Sequence, residues 1–354
     1  MLTMACSSHF LLNATRYSYP SPCKFPSSSQ NIFQRLLAHS LHCYSSDHTQ
    51  TAKSFTWDDV LRISQSENSS SSNLQGYFEK VRYCNRNIEK QREFIPFVVE
   101  DKIVYTSSPK MAGSCNGPFG CHVTLQPTLE TPEDKTSAIG NVIRCLGDEV
   151  IPGLRNELYP VTSSFGTRVF FSLERAAAPY FGIKAYGVHM NGYVERDGQQ
   201  FLWVGRRSRM KPTFPGMLDH LVAGGLPHGV SCGENLIKEC EEEAGVPKSI
   251  SKEAKPVGAI SYVDIDGHRF KRDVLFCYDL KLPEDFKPIN QDGEVEDFKL
   301  IPVPHVANVI RMTQFFKPNC SIVIIDFLFR HGYIRPEDAG YLKLLQSLRS
   351  GDCS

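Results

Sequence analysis

The chain has 354 residues, of which 41% are hydrophobic and 22% are charged, and its 39 basic residues balance its 39 acidic residues. This length predicts about two domains with packed cores, and the balanced charge argues against a strongly basic nucleic-acid binder. The longest apolar run, at residues 322–329, is interrupted by Asp326 and is far shorter than the ~18 residues of a membrane span. We therefore expect neither a nucleic acid nor a membrane as the partner.

The first 56 residues differ in composition from the rest of the chain. They contain eleven serines and four basic residues but only one acidic residue, Asp47. This composition is typical of an organelle transit peptide, and the apolar stretch Phe10-Leu11-Leu12 is too short for a secretory signal. We predict that residues 1–56 are a disordered transit peptide for the plastid stroma rather than the mitochondrion, because serine outweighs arginine. An ordinary disordered tail is the alternative.

Residues 57–179 are predicted to form an N-terminal α/β domain. A Thr131 cap, Pro132 at the first helical position and acidic residues in the first turn mark the start of a helix that should end at Gly147. Residues 113–120 are Gly-rich and lack periodicity, and the stretch 105–120 is expected to be short and disordered. The other elements predicted in this domain are helices over 57–66 and 74–83 and a hairpin formed by 94–99 and 103–106.

Residues 180–330 have a different pattern, in which two hairpins enclose one helix. The first hairpin turns at Asp197-Gly198 and the second at Asp266-Gly267, and such turns favour antiparallel pairing. The remainder, residues 331–354, is predicted to be a C-terminal helix and tail. The twelve cysteines include no C-x-x-C pair, which gives no support to a zinc ribbon. Cys240 and Cys277 are interpreted as buried free thiols, and a redox-responsive pair is the alternative.

The helix between the hairpins should span residues 232–244. Ser231 and Glu234 form a capping box at its start, and Gly245 suits the left-handed residue that follows its last turn. Helical periodicity places Glu239, Glu242 and Glu243 on one face at i, i+3 and i+4, with Lys238 on the edge of that face. Like charges at this spacing repel, and a divalent cation such as Mg²⁺ would offset the repulsion. A solvated acidic face is the alternative.

The segment from Gly224 to Val246 resembles the Nudix box, Gly-x5-Glu-x7-Arg-Glu-U-x-Glu-Glu-x-Gly-U, where U is aliphatic. Glu239, Glu242 and Glu243 stand at the last three glutamates of this pattern, and Gly245 stands at its second glycine. Two positions depart from it, because Val230 replaces the first glutamate and Lys238 replaces the arginine. Lysine lacks the bidentate fork that would orient Glu239.

Other motifs resemble the Nudix subfamily related to thiamin pyrophosphokinase, and in particular its plant chloroplast members. These motifs are Arg155-Asn156-Glu157-Leu158-Tyr159-Pro160-Val161, Gly187-Val188-His189-Met190-Asn191-Gly192-Tyr193, and the run from Lys211 to Asp219. The resemblance implies an α+β fold, namely a Nudix α/β/α sandwich with a mixed sheet over residues 180–330, preceded by a smaller α/β domain.

The resemblance also implies an enzyme that hydrolyses phosphoanhydrides with Mg²⁺ or Mn²⁺ as cofactor. Glu239, Glu242 and Glu243 would be metal ligands, and Glu242 and Glu243 would also serve catalysis. A further base is often a later glutamate, for which Glu294 and Glu296 are the candidates.

Basic residues between the first hairpin and the box are candidates for binding the substrate. Arg206, Arg207 and Lys211 would neutralise the phosphates of a small-molecule diphosphate, unless they form only a solvated basic loop. The subfamily suggests diphosphates of damaged thiamin, such as the oxo and oxy forms. Nucleoside diphosphate derivatives are the alternative substrates, and a catalytically weak Nudix binding module is the alternative function. An isomerase on the same fold is a less favoured reading.

Overall fold

The computed structural model describes residues 2–3, 12–16, 55–65, 73–100, 102–105 and 121–351. Within these residues the α-helices are α1 (Trp57–Ser64), α2 (Gln75–Cys84), α3 (Pro132–Val150), α4 (Cys232–Ala244), α5 (Lys248–Ser251), α6 (Val303–Met312), α7 (Pro318–Arg330) and α8 (Tyr341–Ser347). Two 3₁₀ helices span Ile88–Glu93 and Arg175–Tyr180. No helix in this part of the chain is long and apolar enough to cross a bilayer.

The strands fall into a smaller N-terminal set and a larger C-terminal set. The N-terminal strands are β1 (Leu2–Thr3), β2 (Leu12–Arg16), β3 (Pro96–Val99), β4 (Lys102–Tyr105), β5 (Cys121–Leu125), β6 (Leu158–Val161) and β7 (Phe171–Glu174). The C-terminal strands are β8 (Lys184–Arg196), β9 (Gln199–Arg207), β10 (Leu218–Asp219), β11 (Val222–Gly225), β12 (Lys255–Asp266), β13 (Arg269–Lys281) and β14 (Val295–Pro302).

The central sheet is mixed. Its path runs β10-β9-β8-β13-β12, with β11 paired to β8 and β14 paired to β9. The pairing of β8 with β13 is parallel, whereas β8–β9 and β12–β13 are the two antiparallel hairpins that the sequence predicts. Strand β8 pairs with β11 along its first part, up to Met190, and with β9 from Tyr193 onwards. The start of the box therefore lies beside the middle of the sheet.

Helices cover both faces of this sheet. Side chains of successive strand residues point to opposite faces, and apolar side chains on each face are buried against helices. On one face, Leu236 and Cys240 of α4 pack with Val188 and Met190 of β8. On the other face, α6 and α7 pack against Leu202 and Val204 of β9, among other residues. The predicted α/β/α sandwich with a mixed sheet is confirmed.

The first two helices belong to the core of this larger unit and not to the N-terminal domain. Val60 of α1, and Tyr77 and Val81 of α2, are buried with Val306 and Ile322 of the C-terminal helices. The sequence did not predict this packing, because periodicity shows which face of a helix is apolar but not which core receives it; the predicted domain boundary at residue 57 stays a prediction. The last helix is also part of this core, through the buried Leu344.

A separate core defines the smaller N-terminal unit. It is formed by strands β3, β5, β6 and β7, helix α3 and the second 3₁₀ helix, with Phe97, Ile139 and Phe171 among its buried residues. Helix α3 begins at the predicted Thr131 cap, and its backbone leaves the helical conformation at Gly147, where φ is 62°. The predicted end at Gly147 marks this kink, and three more residues follow in the helix.

The predicted transit peptide falls mostly outside the described residues, as does the irregular stretch after Tyr105. Two short parts of the predicted disordered leader are strands, and β2 pairs antiparallel with β5, whose edge offers unpaired backbone groups. The predicted boundary at residue 56 is also too late, because Phe55 is 5% exposed and its ring stacks on Phe315 with centroids 4.1 Å apart. Phe55 therefore belongs to the packed core of the larger unit.

Candidate active site

Helix α4 has the ends that the sequence predicts. Ser231 Oγ accepts a hydrogen bond from the Glu234 backbone N–H at 3.3 Å, and the Glu234 carboxylate accepts one from the Ser231 backbone N–H at 3.1 Å. Gly245 follows the last turn with φ 61°, a conformation that glycine adopts without the steric cost of a Cβ. These caps fix the register in which α4 presents its glutamates. The predicted buried thiols, Cys240 and Cys277, are both buried and free.

Glu239 lies directly against the backbone of Gly224. A Cβ placed on Gly224 would lie 2.5 Å from Glu239 Oε1, which is closer than real Cβ contacts. Only glycine therefore leaves room for this carboxylate beside strand β11. Burial raises the pKa of Glu239; the charge of Lys238 opposes the shift, while Glu242 and Glu294 add to it.

Glu243 is the most buried carboxylate of the helix, with 8% of its surface exposed. Its Oε2 accepts a hydrogen bond from the Ala223 backbone N–H at 2.8 Å. Burial raises the pKa of Glu243 well above its usual value, and Glu239, Asp219 and Glu294 act in the same direction against the Ala223 hydrogen bond. A divalent cation bound here would supply the positive charge that offsets these effects and favours the ionised form of Glu243.

Glu242 differs from the other two because it forms the shorter contact with Lys238 and is more exposed. Lys238 Nζ lies 2.5 Å from Glu242 Oε2 and 3.6 Å from Glu239 Oε1. From its position at the edge of the acidic face, Lys238 has a flexible stem that lets its ammonium reach both carboxylates. Lys238 thus contacts Glu239 at a single point, where the arginine of the motif would offer a fork.

The structure separates the two later glutamates. The carboxylate of Glu294 lies close enough to Glu239 and Glu243 to raise the pKa of both. Burial acts to raise the pKa of Glu294 itself, but the hydrogen bond and charge of Lys211, together with Arg207, hold it below its usual value. Glu294 is therefore ionised at neutral pH.

Glu296 is held elsewhere by basic side chains and backbone. Its carboxylate accepts a hydrogen bond from the Arg209 backbone N–H at 3.1 Å, and Arg206 Nε lies 3.7 Å from it. The structure thus brings Glu294 to the box glutamates and ties Glu296 to the segment after β9.

Of the three predicted substrate-binding cations, two donate hydrogen bonds inside the fold and the third pairs with Glu294. Arg206 follows Leu202 and Val204 on the face of β9 opposite α4 and donates to the Phe55 carbonyl at 2.9 Å. Arg207 donates to the Asp219 carboxylate and to the carbonyls of Thr213 and Phe214 at 2.9–3.1 Å. Both are buried. Lys211 is the one that pairs with Glu294, beside the box.

Another group of possible metal ligands lies inside the core. His189, His220 and Cys320 are buried, and their donor atoms lie within 4.8 Å of one another. Asp219 is 2.6 Å from Cys320 Sγ, but Arg207 and Lys317 already neutralise it at 2.9 and 3.7 Å. A further cation would be repelled there, so we interpret this group as part of the core. The box glutamates form no comparably closed cluster among the described residues, and Mg²⁺, which keeps water and phosphate oxygens as ligands, does not require one.

The smaller N-terminal unit also reaches the box, which the sequence did not reveal. The His228 backbone N–H donates to the Leu158 carbonyl at 2.9 Å, and His228 Nδ1 lies 2.7 Å from Ser172 Oγ. A Cβ on Gly225 would clash with the hydroxyl of Tyr159 and lie 3.0 Å from Arg175 Cζ. Two features of the sequence could have indicated this contact. Tyr159 lies in one of the motifs that resemble the subfamily, and the pair Gly224-Gly225 has no side chains and so leaves room for another element to approach.

Comparison with known proteins agrees with this geometry. Residues 186–318 match the NUDIX domain, and residues 76–185 match a domain of unknown function, DUF4743. The chain belongs to the Nudix hydrolase family, whose members act on phosphoanhydrides and generally use divalent metal ions. The prediction of a Nudix hydrolase is thereby confirmed, whereas the thiamin pyrophosphokinase-related subfamily stays a prediction.

Two curated relatives come from Arabidopsis thaliana. Nudix hydrolase 20, chloroplastic, is 60% identical over 336 residues, which cover 90% of this chain and 89% of the relative. Nudix hydrolase 24, chloroplastic, is 54% identical over 363 residues, which cover 99% of this chain and 97% of the relative. Among solved structures, the NUDIX domain of Shewanella oneidensis NrtR complexed with ADP ribose aligns with a TM-score of 0.33 and 15% identity, covering 42% of this chain and 88% of that one.

Proposed function

We propose that this Nudix hydrolase is a metal-dependent diphosphatase that cleaves the phosphoanhydride bond in diphosphates of damaged thiamin, such as the oxo and oxy forms. The observation that carries the proposal is the position of Glu239 and Glu243. Both carboxylates are largely buried beside strand β11, and the pKa of each is raised by burial and by neighbouring carboxylates. Such a cluster of like charges fits a bound divalent cation better than a solvated surface.

The side chains of the box fit Mg²⁺ or Mn²⁺ in their chemistry. Glu239, Glu242 and Glu243 offer carboxylate oxygens, which are the ligands that hard cations prefer, and leave positions for water and substrate phosphate. The chemistry that such an ion supplies is Lewis-acid polarisation of the diphosphate oxygens.

The protein's own residues would perform the remaining steps. The Ala223 N–H fixes one oxygen of Glu243 at 2.8 Å, which orients the second oxygen. Glu294 is ionised next to Lys211 and is our candidate for the base that takes a proton from the attacking water. Glu296 has a structural role in this account, through its contacts to Arg206 and Arg209.

The nature of the substrate rests on the resemblance of the motifs around Arg155, Gly187 and Lys211 to the thiamin pyrophosphokinase-related subfamily. Nucleoside diphosphate derivatives are the alternative substrate class. A binding module without activity is disfavoured, because all three box glutamates are present and Glu294 lies near them. The two Arabidopsis relatives are named chloroplastic, which supports the proposal that residues preceding Phe55 are a plastid transit peptide.

A hydrolysis screen tests this function. The full chain is incubated with Mg²⁺ or Mn²⁺ and either oxothiamin diphosphate, oxythiamin diphosphate, thiamin diphosphate, ADP-ribose or a diadenosine polyphosphate, and the released phosphate and monophosphate product are measured. We expect the highest kcat/KM with the damaged thiamin diphosphates and none in the presence of EDTA. Faster turnover of the nucleotide substrates would assign the alternative class, and hydrolysis that is insensitive to EDTA would contradict the metal.

A further inference from the structure

The smaller N-terminal unit contributes a basic side chain to the edge of the box. Strand β6 and the start of the second 3₁₀ helix place Tyr159 and Arg175 against the α-carbon of Gly225. Gly224, the residue before it, has Glu239 in the corresponding space. Because neighbouring strand residues point to opposite faces, the two glycines let a carboxylate and a guanidinium approach the same short piece of β11 from its two sides.

Arg175 is held in place but retains free donors. One of its nitrogens, Nη1, donates to Glu157 at 2.8 Å, and the guanidinium lies 5.4 Å from the centre of the Tyr159 ring. Within the described residues the other guanidinium N–H groups make no hydrogen bond, whereas the backbone N–H of Arg175 donates to the Glu157 carbonyl at 2.8 Å. The side chain is 34% exposed, so a ligand can reach it. Its charge lies close enough to Glu239 to lower the pKa of that carboxyl against the effect of burial.

A second arginine of the same unit lies near the candidate base. The Arg155 backbone N–H donates to Glu174 Oε1 at 2.9 Å, which anchors the residue next to the Arg175 turn. Its side chain is exposed, and no carboxylate among the described residues lies within ion-pair distance of it. The charge of Arg155 acts on Glu294. The N-terminal unit thus brings two positive charges that act on the box region, Arg175 on Glu239 and Arg155 on Glu294, and Glu157 is the ion-pair partner of Arg175.

We propose that Arg175, assisted by Arg155, binds the phosphate oxygens of the substrate, so that the N-terminal unit forms the phosphate-binding wall of the active site. This inference rests on the proposed function as a diphosphatase but not on the identity of the organic group. Guanidinium groups bind phosphate with two parallel hydrogen bonds. These two arginines would take the role predicted for Arg206 and Arg207, both of which are buried and donate hydrogen bonds inside the fold.

The test uses a diphosphate that cannot be hydrolysed. Binding of methylenediphosphonate to the full chain is measured by calorimetry with Mg²⁺ present, for the wild type and for Arg175→Met, Arg175→Lys and Arg155→Met. Loss of a hydrogen-bonded charge predicts weaker binding by ~10- to 100-fold for Arg175→Met. Arg175→Lys keeps the charge without the fork and should recover part of the affinity, and Arg155→Met should show a smaller loss than Arg175→Met. Arg144→Met, an exposed arginine of helix α3 in the same unit, is the matched control and should bind like the wild type.

Thermal melting without ligand separates binding from folding, and Arg175→Lys, which can still pair with Glu157, serves if Arg175→Met does not fold. Unchanged affinity in a folded Arg175 variant, or no binding to the wild type, overturns the inference. Affinity that depends on Arg175 supports it even if no thiamin diphosphate is hydrolysed, in which case only the proposed substrate fails. Hydrolysis of a damaged thiamin diphosphate with an unchanged KM in Arg175→Met overturns the inference and leaves the proposed function intact.

Discussion

Glu239 occupies the space that a side chain at Gly224 would fill, with its Oε1 2.5 Å from the position of the missing Cβ. Gly224 and Glu239 are therefore one packing unit, although fifteen positions separate them in the sequence. This relationship explains why the motif needs both residues, since a larger residue on β11 would push the carboxylate away from its neighbours Glu243 and Glu294.

Replacing Gly224 by alanine should consequently damage the site without touching a carboxylate. We expect Gly224→Ala to lower the turnover of a diphosphate by ~10- to 100-fold, as is typical when the surroundings of a metal ligand are disturbed. Steady-state kinetics at saturating Mg²⁺ measure the effect. Gly233→Ala is the control. Gly233 lies on α4, the helix that carries Glu239, and nothing lies within 4 Å of a Cβ at this position. Equal activities of the two variants would refute the packing argument.

Glu294 and Glu296 should respond differently to the same substitution. Glu294→Gln removes an ionised carboxylate from the neighbourhood of Glu239 and Glu243, and we expect kcat to fall by ~10²-fold or more if it is the base. Glu296→Gln weakens the contacts to Arg206 and Arg209 and should leave kcat near the wild-type value. The comparison of kcat for the two variants decides the assignment, and the reverse order of activities would make Glu296 the base.

Phe55 should stabilise the fold although it precedes the predicted boundary. Its ring is buried against Phe315 and lies 5.0 Å from the guanidinium of Arg206. Phe55→Ala should lower the free energy of unfolding by about 3 kcal/mol, as for other buried aromatic residues. Urea denaturation measures this change, and Leu342→Ala, at a side chain that is 70% exposed, should change it little. A stable Phe55→Ala variant would mean that the fold begins later.

The docking of helix α2 predicts a dependence of stability on pH. Lys80 is 4% exposed and donates to the Thr313 carbonyl, and burial lowers its pKa from 10.5 to about 8 although Glu79 opposes the shift. Between pH 8 and 10.5 the unfolded chain therefore binds more protons than the folded one, so this group adds stability as the pH rises. Relative to Lys80→Met, the wild type should gain on the order of 2 to 3 kcal/mol across this range. If the difference in unfolding free energy between the two proteins stayed constant over this pH range, the lowered pKa of Lys80 would be contradicted.

The sequence predicted local structure well and long-range placement less well. The caps of α4 and the turns of both hairpins depend on residues a few positions apart, and all agree with the structure. The core that receives α1 and α2 was not predicted, because an amphipathic helix does not encode which core it packs against. For the same reason the sequence could not show that Arg206 faces away from α4 or that Arg175 lies beside the box.

The central claim is that the glutamates of α4 hold a metal for diphosphate hydrolysis, and a comparison of two neighbouring glutamates tests it most directly. Glu243 is buried on the acidic face, whereas Glu241 is exposed beside it on the same helix. The measurement is Mg²⁺-dependent turnover of oxythiamin diphosphate by Glu243→Gln and Glu241→Gln. Because a hydrogen bond from Ala223 can still be accepted, Glu243→Gln should fold with unchanged or higher stability in the absence of metal and lose ~10- to 100-fold or more of its activity. Glu241→Gln should turn over like the wild type; similar activities of the two variants would contradict the metal assignment.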